Sequence, residues 1–145
     1  MSAGPFYRVS TDDIAPRYLG RGFTAEEGVP PAAVDEAQRR LGVRIPASLA
    51  YYYRQAGRCT ALNALHHRLY APSELRIDGG YLVFMDENQT VVSWGFRTTD
   101  CGEDDPTVWQ RNNTPRHEWY SEDKPFTRFL TGMFDWYVEM GMLRR

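Results

Sequence analysis

Residues 81–96 read YLVFMDENQTVVSWGF. The first five form a continuous apolar run, and the next four are polar. In the run that follows, Val92, Trp94 and Phe96 alternate with other residues and therefore share one face of a strand. Two β-rich runs joined by a polar turn are typical of an antiparallel hairpin. The segment therefore predicts two neighbouring antiparallel strands.

Shorter runs on both sides of this hairpin extend the predicted sheet. Further β-rich segments occur at Leu65–Tyr70, Thr107–Arg111 and His117–Tyr120. Loops rich in turn-forming residues separate the later segments, at 98–106 and 112–116. Together these segments predict a central antiparallel sheet of four to six strands, which is a common sheet size.

Two short helices are predicted before the sheet. Pro30 and Pro31 can begin the first helix, since proline loses no hydrogen bond in the first turn, and Gly42 is a suitable stop. Pro46 then opens a second helix that ends at Gly57. The repeated pattern of a proline start and a glycine stop predicts an N-terminal helical hairpin.

A closing helix is predicted from Pro125 to Gly141. Apolar residues recur there at intervals of three or four: Phe126, Phe129, Leu130, Met133, Tyr137 and Met140. Glu122 and Asp123 lie where acids favour a helix N-terminus. Gly132 costs about 1 kcal/mol relative to alanine inside a helix, so we expect a close contact with another element there. Helices, antiparallel strands and a closing helix packed on the sheet indicate an α+β fold.

The chain has 145 residues, which fits one domain. Residues 1–29 are rich in glycine, proline and charge, and we expect them to form a leader that is partly ordered and packs as a strap. Residues 30–145 then form the α+β domain. Aromatic residues make up 14% of the chain, which indicates rings in the core or rings at an interface.

The formal net charge of -2 includes no concentrated basic surplus, so we expect no nucleic-acid partner. No apolar stretch is long enough for a signal peptide or a membrane span, so we expect no membrane association. The chain has only two cysteines, Cys59 and Cys101, which favours reduced thiols in the cytoplasm. We expect a monomer or a weak dimer.

The candidates for metal ligands or catalytic groups are scattered: Cys59, His66, His67, Cys101 and His117. None has the spacing of a zinc site, and adjacent histidines on a strand point to opposite faces. No sequence signature surrounds a cysteine or serine nucleophile. We therefore predict no metal, no cofactor and no catalytic residue.

Acidic residues form the most distinctive polar clusters. Asp86 and Glu87 lie at the tip of the predicted hairpin, and a compact loop carries the other four: Asp100, Glu103, Asp104 and Asp105. Such a loop is most often a solvated turn, less often a protein-binding loop, and least often a catalytic carboxylate pair. We predict that these six residues contribute to partner binding.

Six local features follow one another along the chain: a Leu-Gly helix end at 41–42, an apolar-Pro step at 45–46, a glycine stop at 57, the hairpin at 81–95, a strand entry at 104–109 and an aromatic closing helix at 126–136. In this order they resemble the SUKH superfamily. The likeness covers roughly residues 30–140 and leaves the leader outside. It is carried by the shared order of short apolar strings.

The resemblance implies a cytosolic immunity protein that binds and occludes a cognate toxin domain, such as a nuclease or a deaminase. The family has no common catalytic residues to transfer. Two other readings stay open from the residues: a general interaction scaffold or regulator, and a hydrolase that uses an acidic site. An acidic loop at Asp100–Asp105 would suit the basic cleft of a nuclease.

Overall fold

The computed structural model describes residues 5–143, and residues 1–4 and 144–145 lie outside this range. Within the described part there are five α-helices: α1 (Phe6–Asp12), α2 (Pro31–Leu41), α3 (Ala47–Ala56), α4 (Thr60–Asn63) and α5 (Phe126–Glu139). A π-helical turn, Ala15–Leu19, follows α1, and a 3-10 turn, Ala25–Glu27, precedes α2. The predicted helical hairpin is confirmed as α2 and α3.

The described residues form one sheet of six strands: β1 (Arg68–Leu69), β2 (Arg76–Asp78), β3 (Tyr81–Asp86), β4 (Val92–Arg97), β5 (Thr107–Asn112) and β6 (Trp119–Pro125). Strands β1 and β2 pair with the same edge of β3, and β4, β5 and β6 follow in order, every pair antiparallel. The α+β class and the central hairpin are confirmed. The sequence pattern did not reveal β2.

Helix α5 packs on one face of this sheet and forms the main core with it. Phe126 lies 5.4 Å from Phe84 and 5.8 Å from Phe96, measured between ring centroids. Phe129 contacts Phe84 and Trp94 on the same face. A bulge between Val83 and Met85 shifts the β3 register, and Phe84 projects into this aromatic core.

The predicted apolar stripe of α5 is confirmed in its main part. Four members are buried: Phe126, Phe129, Leu130 and Tyr137. Met133 is half-buried against the core. Met140 is 59% exposed, because α5 ends at Glu139 and the chain turns at Gly141 with a positive φ of 73°. Met140 continues the sequence spacing but lies beyond the buried part of the stripe.

The start of α5 also differs from the expectation. Glu122 and Asp123 lie in β6 and not in the first helical turn. The carboxylate of Asp105 reaches the helix from the β4–β5 loop instead, where it accepts hydrogen bonds from the Thr127 backbone N–H at 3.2 Å and from its hydroxyl at 2.6 Å. A residue 22 positions earlier in the chain therefore caps α5.

Gly132 does not mark a close contact with another element. No atom outside its immediate surroundings lies within 4 Å of the position that a Cβ would take, and the residue is exposed. The expected contact is wrong. Gly57, by contrast, has Val29 Cγ2 at 2.3 Å and the Tyr53 carbonyl oxygen at 2.9 Å from an added Cβ, so the end of α3 has room only for glycine.

The leader is helical and reaches the core. Ile14 and Tyr18 are both 1% exposed, and the Tyr18 ring packs edge-on against Phe134 of α5 at 5.3 Å. The Tyr18 hydroxyl donates to the Asp135 carboxylate at 2.6 Å. Burial and this hydrogen bond raise the pKa of Tyr18 well above its usual value. The leader is thus joined to α5 by both apolar and polar contacts.

Asp105→Ala should destabilise the protein by about 1 kcal/mol, because the substitution removes a side-chain cap from α5. Urea denaturation measures the change. Asp104→Ala is the matched control, since Asp104 is exposed and its ion pair with Arg44 spans 3.7 Å. Equal losses from the two substitutions would contradict the capping role of Asp105.

Glu27 forms hydrogen bonds with other residues near the end of the leader. Its carboxylate accepts two hydrogen bonds from Arg21, at 2.8 and 3.1 Å, and one from the Thr24 backbone N–H at 2.9 Å. These hydrogen bonds lower the pKa of Glu27 to about 2. Because the pKa in the folded state lies below that in the unfolded state, ionised Glu27 stabilises the fold above about pH 5, and this contribution is lost as the pH falls toward 2.

Glu27→Gln should therefore lower the free energy of unfolding by roughly 1 kcal/mol at pH 7. The difference from wild type should shrink as the pH falls from about 5 toward 2. Urea titrations at several pH values measure it, with the neighbouring exposed residue as control in Glu26→Gln. A difference that stays constant with pH would refute the assignment of this pKa shift to folding.

Candidate functional site: an aromatic and arginine face of the sheet

The two acidic clusters lie at opposite ends of the central hairpin. Asp86 ends β3, whereas the acidic loop, residues 100–105, follows β4 and lies near the first residue of β3. Each of these strands has six residues and therefore spans roughly 17 Å. A carboxylate pair drawn from both clusters is thus too widely separated to share one substrate.

Asp86 and Glu87 are used within the protein. Asp86 accepts hydrogen bonds from the Tyr70 hydroxyl at 2.5 Å and from the Ser93 hydroxyl at 2.6 Å. Burial and the hydrogen bond to Asp86 raise the pKa of Tyr70 to about 12. Glu87 accepts a hydrogen bond from the Val91 backbone N–H and closes the hairpin turn. Both carboxylates therefore have structural partners.

The acidic loop divides into structural and surface residues. Asp105 caps α5, and the Asp104 backbone carbonyl accepts the Ser48 N–H at the start of α3. The Asp104 side chain faces Arg44 at 3.7 Å and is 65% exposed. Glu103 is exposed and Asp100 half-buried. The surface side chains of this loop are therefore Glu103 and Asp104.

Both cysteines are free and buried. Burial raises the pKa of Cys59 to about 11 and that of Cys101 to about 12, so both thiols are protonated at neutral pH. Across residues 5–143, no three histidine, cysteine or acidic side chains group as metal ligands.

His66 and His67 do not point to opposite faces as predicted. They precede β1 in a bend, and their rings lie 4.6 Å apart. The His67 ring lies parallel to Trp136 of α5 with a centroid distance of 6.0 Å, and its Nδ1 accepts the Asn88 N–H. Burial and the neighbouring His66 lower the pKa of His67. The pair links α5 to the hairpin tip.

The most distinctive surface lies on the sheet face opposite α5. Five side chains from β3 to β6 project from it, and we term them the aromatic–arginine face: Tyr81, Arg97, Trp109, Arg111 and Trp119. The three rings are half-buried, and Arg97 is exposed. Throughout residues 5–143, the ring contacts that join helices to the sheet all lie on the other face.

The members of this face contact one another. Tyr81 stacks on Trp119 with a centroid distance of 3.8 Å and an interplanar angle of 10°. The Arg97 guanidinium lies 3.9 Å from the centroid of Trp109, and that of Arg111 lies 5.4 Å from Trp119. Such cation–π contacts stabilise by about 0.5–2 kcal/mol each.

Two of these contacts require a strongly curved sheet. Tyr81 on β3 meets Trp119 on β6, and Asp78 on β2 meets Arg111 on β5 at 2.5 Å. Each pair is separated by three strand spacings, or roughly 14 Å in a flat sheet. The normal strand twist, accumulated over the sheet, brings these diagonal corners together.

Because Gly95 has no side chain, the Trp119 ring can pack directly on the sheet. A Cβ at this position would lie 2.7 Å from the Leu82 carbonyl oxygen and 3.3 Å from Cη2 of Trp119. The Trp119 ring therefore occupies the space above the glycine and covers the backbone that a side chain would otherwise shield.

A second surface is a groove of about 1040 Å³ between α1 and α5. Phe6 and Val9 of α1 are 57% and 44% exposed beside it, and Gly132 lies in its wall. Asp135, also in the wall, bonds to Arg17 and Tyr18. Both acidic and basic side chains line the groove, so its charge favours no particular ligand.

Comparisons with known proteins add no relative: no family model, curated protein or solved structure matches the chain. Among the described helices, none has the length and apolar character needed to cross a membrane.

Sequence reasoning missed the aromatic–arginine face, although it placed Tyr81, Trp109 and Trp119 in strands. The available signal was the two-residue spacing of Trp109 and Arg111, which puts both on one face of β5. Which face that is depends on the pairing register with β4, where Gly95 opposes Trp109.

Gly95→Ala should destabilise the protein by about 1–3 kcal/mol, because the new methyl group clashes with the backbone of β3 and displaces Trp119. Urea denaturation measures the loss, and near-ultraviolet circular dichroism reports the altered ring stacking. Gly102→Ala is the control, since an added Cβ there meets no atom within 4 Å. Unchanged dichroism in Gly95→Ala would contradict the packing described for Trp119.

Proposed function

We propose that this protein is a non-catalytic binding protein that engages a partner protein through the aromatic–arginine face. The observation that carries the proposal is the composition of that face, which combines two tryptophans, a tyrosine and two arginines on one side of the sheet. Tryptophan, tyrosine and arginine are the residues most enriched in binding hot spots.

The geometry of the face supports the same function. Its rings are held by mutual stacking, so little side-chain entropy remains to be lost when a partner binds. The face extends over the four strands β3 to β6, and its rings cover one another. These properties suit recognition of a protein surface better than turnover of a small substrate.

The resemblance to the SUKH superfamily supports a more specific proposal for the partner. By that resemblance the partner is a toxin domain, and the protein acts as a cytoplasmic immunity protein that occludes it. Glu103 and Asp104 lie in the loop that follows β4, near the Arg97 end of the face, so they would act as rim charges toward a basic toxin. Rim charges mainly set the association rate.

Trp109→Leu should weaken binding to the cognate partner at least tenfold, because leucine still covers the strand but removes the indole anchor. A candidate partner is sought among the neighbouring genes as a large secreted protein with a C-terminal toxin domain, and titration calorimetry measures the affinity. Tyr120→Leu is the matched control, since Tyr120 is 48% exposed on the opposite face of the same sheet.

A third variant, Glu103→Ser with Asp104→Ser, tests the rim. Asp105 is left in place because it caps α5. The double variant should slow association at low salt and match wild type at high salt. Unchanged affinity in Trp109→Leu, together with weakened binding in Tyr120→Leu, would place the interface on the other face and refute the proposal.

A further inference from the structure

We infer that the aromatic–arginine face recognises an acidic segment of its partner, in which Asp or Glu side chains flank an apolar residue. This inference rests on the proposed function, since it names the chemistry of the partner at that same face. It is carried by the ion-pairing state of the arginines and by their position against aromatic rings.

Four arginines on or beside this face lie against aromatic rings, but only two have a carboxylate partner. Arg111 pairs with Asp78 at 2.5 Å, and Arg68 pairs with Glu74 at 2.6 Å. Arg97 has no acidic group within 4.0 Å anywhere in residues 5–143, and the same holds for Arg76, which donates to the Tyr70 hydroxyl. Both are exposed.

Both of these guanidiniums lie against a ring and have no carboxylate partner among residues 5–143. Arg97 lies 3.9 Å from the Trp109 ring centroid, and Arg76 lies 5.3 Å from that of Tyr70. Arg76 uses one N–H for the Tyr70 hydroxyl, and the remaining N–H donors of the two guanidiniums have the geometry that matches a carboxylate in a bidentate pair. Two such groups on one face fit a segment that carries two acidic side chains.

Single-stranded nucleic acid is a weaker fit for the same face. Bases bind such platforms by stacking on free aromatic faces. Here Tyr81 and Trp119 stack on each other, and Arg97 covers Trp109. The chain also has a net charge of -2 and no concentrated basic surplus. An acidic peptide needs only the guanidinium edges and leaves these stacks intact.

The test is a selection of random 12-residue peptides, displayed on phage, against the full-length protein. Binders are counter-selected on the Trp109→Leu variant so that the recovered peptides depend on the face. We expect the recovered peptides to be rich in Asp and Glu beside an apolar residue. A synthetic copy of one such peptide should bind at least fivefold more weakly to Arg97→Gln and to Arg76→Gln, and more weakly at high salt.

Arg39→Gln is the matched control, since Arg39 lies on α2, is 70% exposed and pairs with Glu36; this variant should bind the peptide like wild type. Peptides that depend on Trp109 but carry no acidic residues would overturn the inference and leave the proposed function standing. Failure to recover any Trp109-dependent peptide would overturn both. Tighter, Trp109-dependent binding of a labelled 12-nucleotide thymidine oligomer would replace the acidic segment with nucleic acid.

Discussion

The architecture depends on the packing of Phe126. Its ring is fully buried between Tyr52 of α3 and the paired rings Phe84 and Phe96 of the central hairpin. Its backbone N–H donates to the Pro106 carbonyl, and the next residue is capped from the same loop. One residue at the start of α5 therefore joins the helical hairpin, the sheet and the β4–β5 loop.

This arrangement places the helices on one side of the sheet. On the other side, the side chains of the sheet cover one another. Strand twist brings Trp119 over Gly95 to reach Tyr81, and Arg111 reaches Asp78 across the curved sheet. The resulting cover is made of aromatic and guanidinium groups. A sheet face that is protected in this way stays stable in water and keeps groups suited to binding at its surface.

The same packing decides how the acidic residues are used. The loop that carries them must supply the cap of α5, because β6 runs directly into the helix at Pro125 and offers no local cap. Asp105 takes that role, and Asp86 holds Tyr70 and Ser93 together. Acidic clusters that look alike in the sequence thus serve different purposes in the fold.

The sequence by itself determined the two helices of the hairpin, the pairing of β3 with β4 and the apolar stripe of α5. Each of these depends on contacts between residues close in the chain or on a single periodicity. It did not determine the cap of α5, the role of Gly132 or the short strand β2, because these depend on neighbours distant in sequence. The aromatic–arginine face belongs to the same group. Only the tertiary structure decided that Trp109, Trp119 and Tyr81 meet, since register and sheet curvature, which no local pattern encodes, bring together strands that are not neighbours.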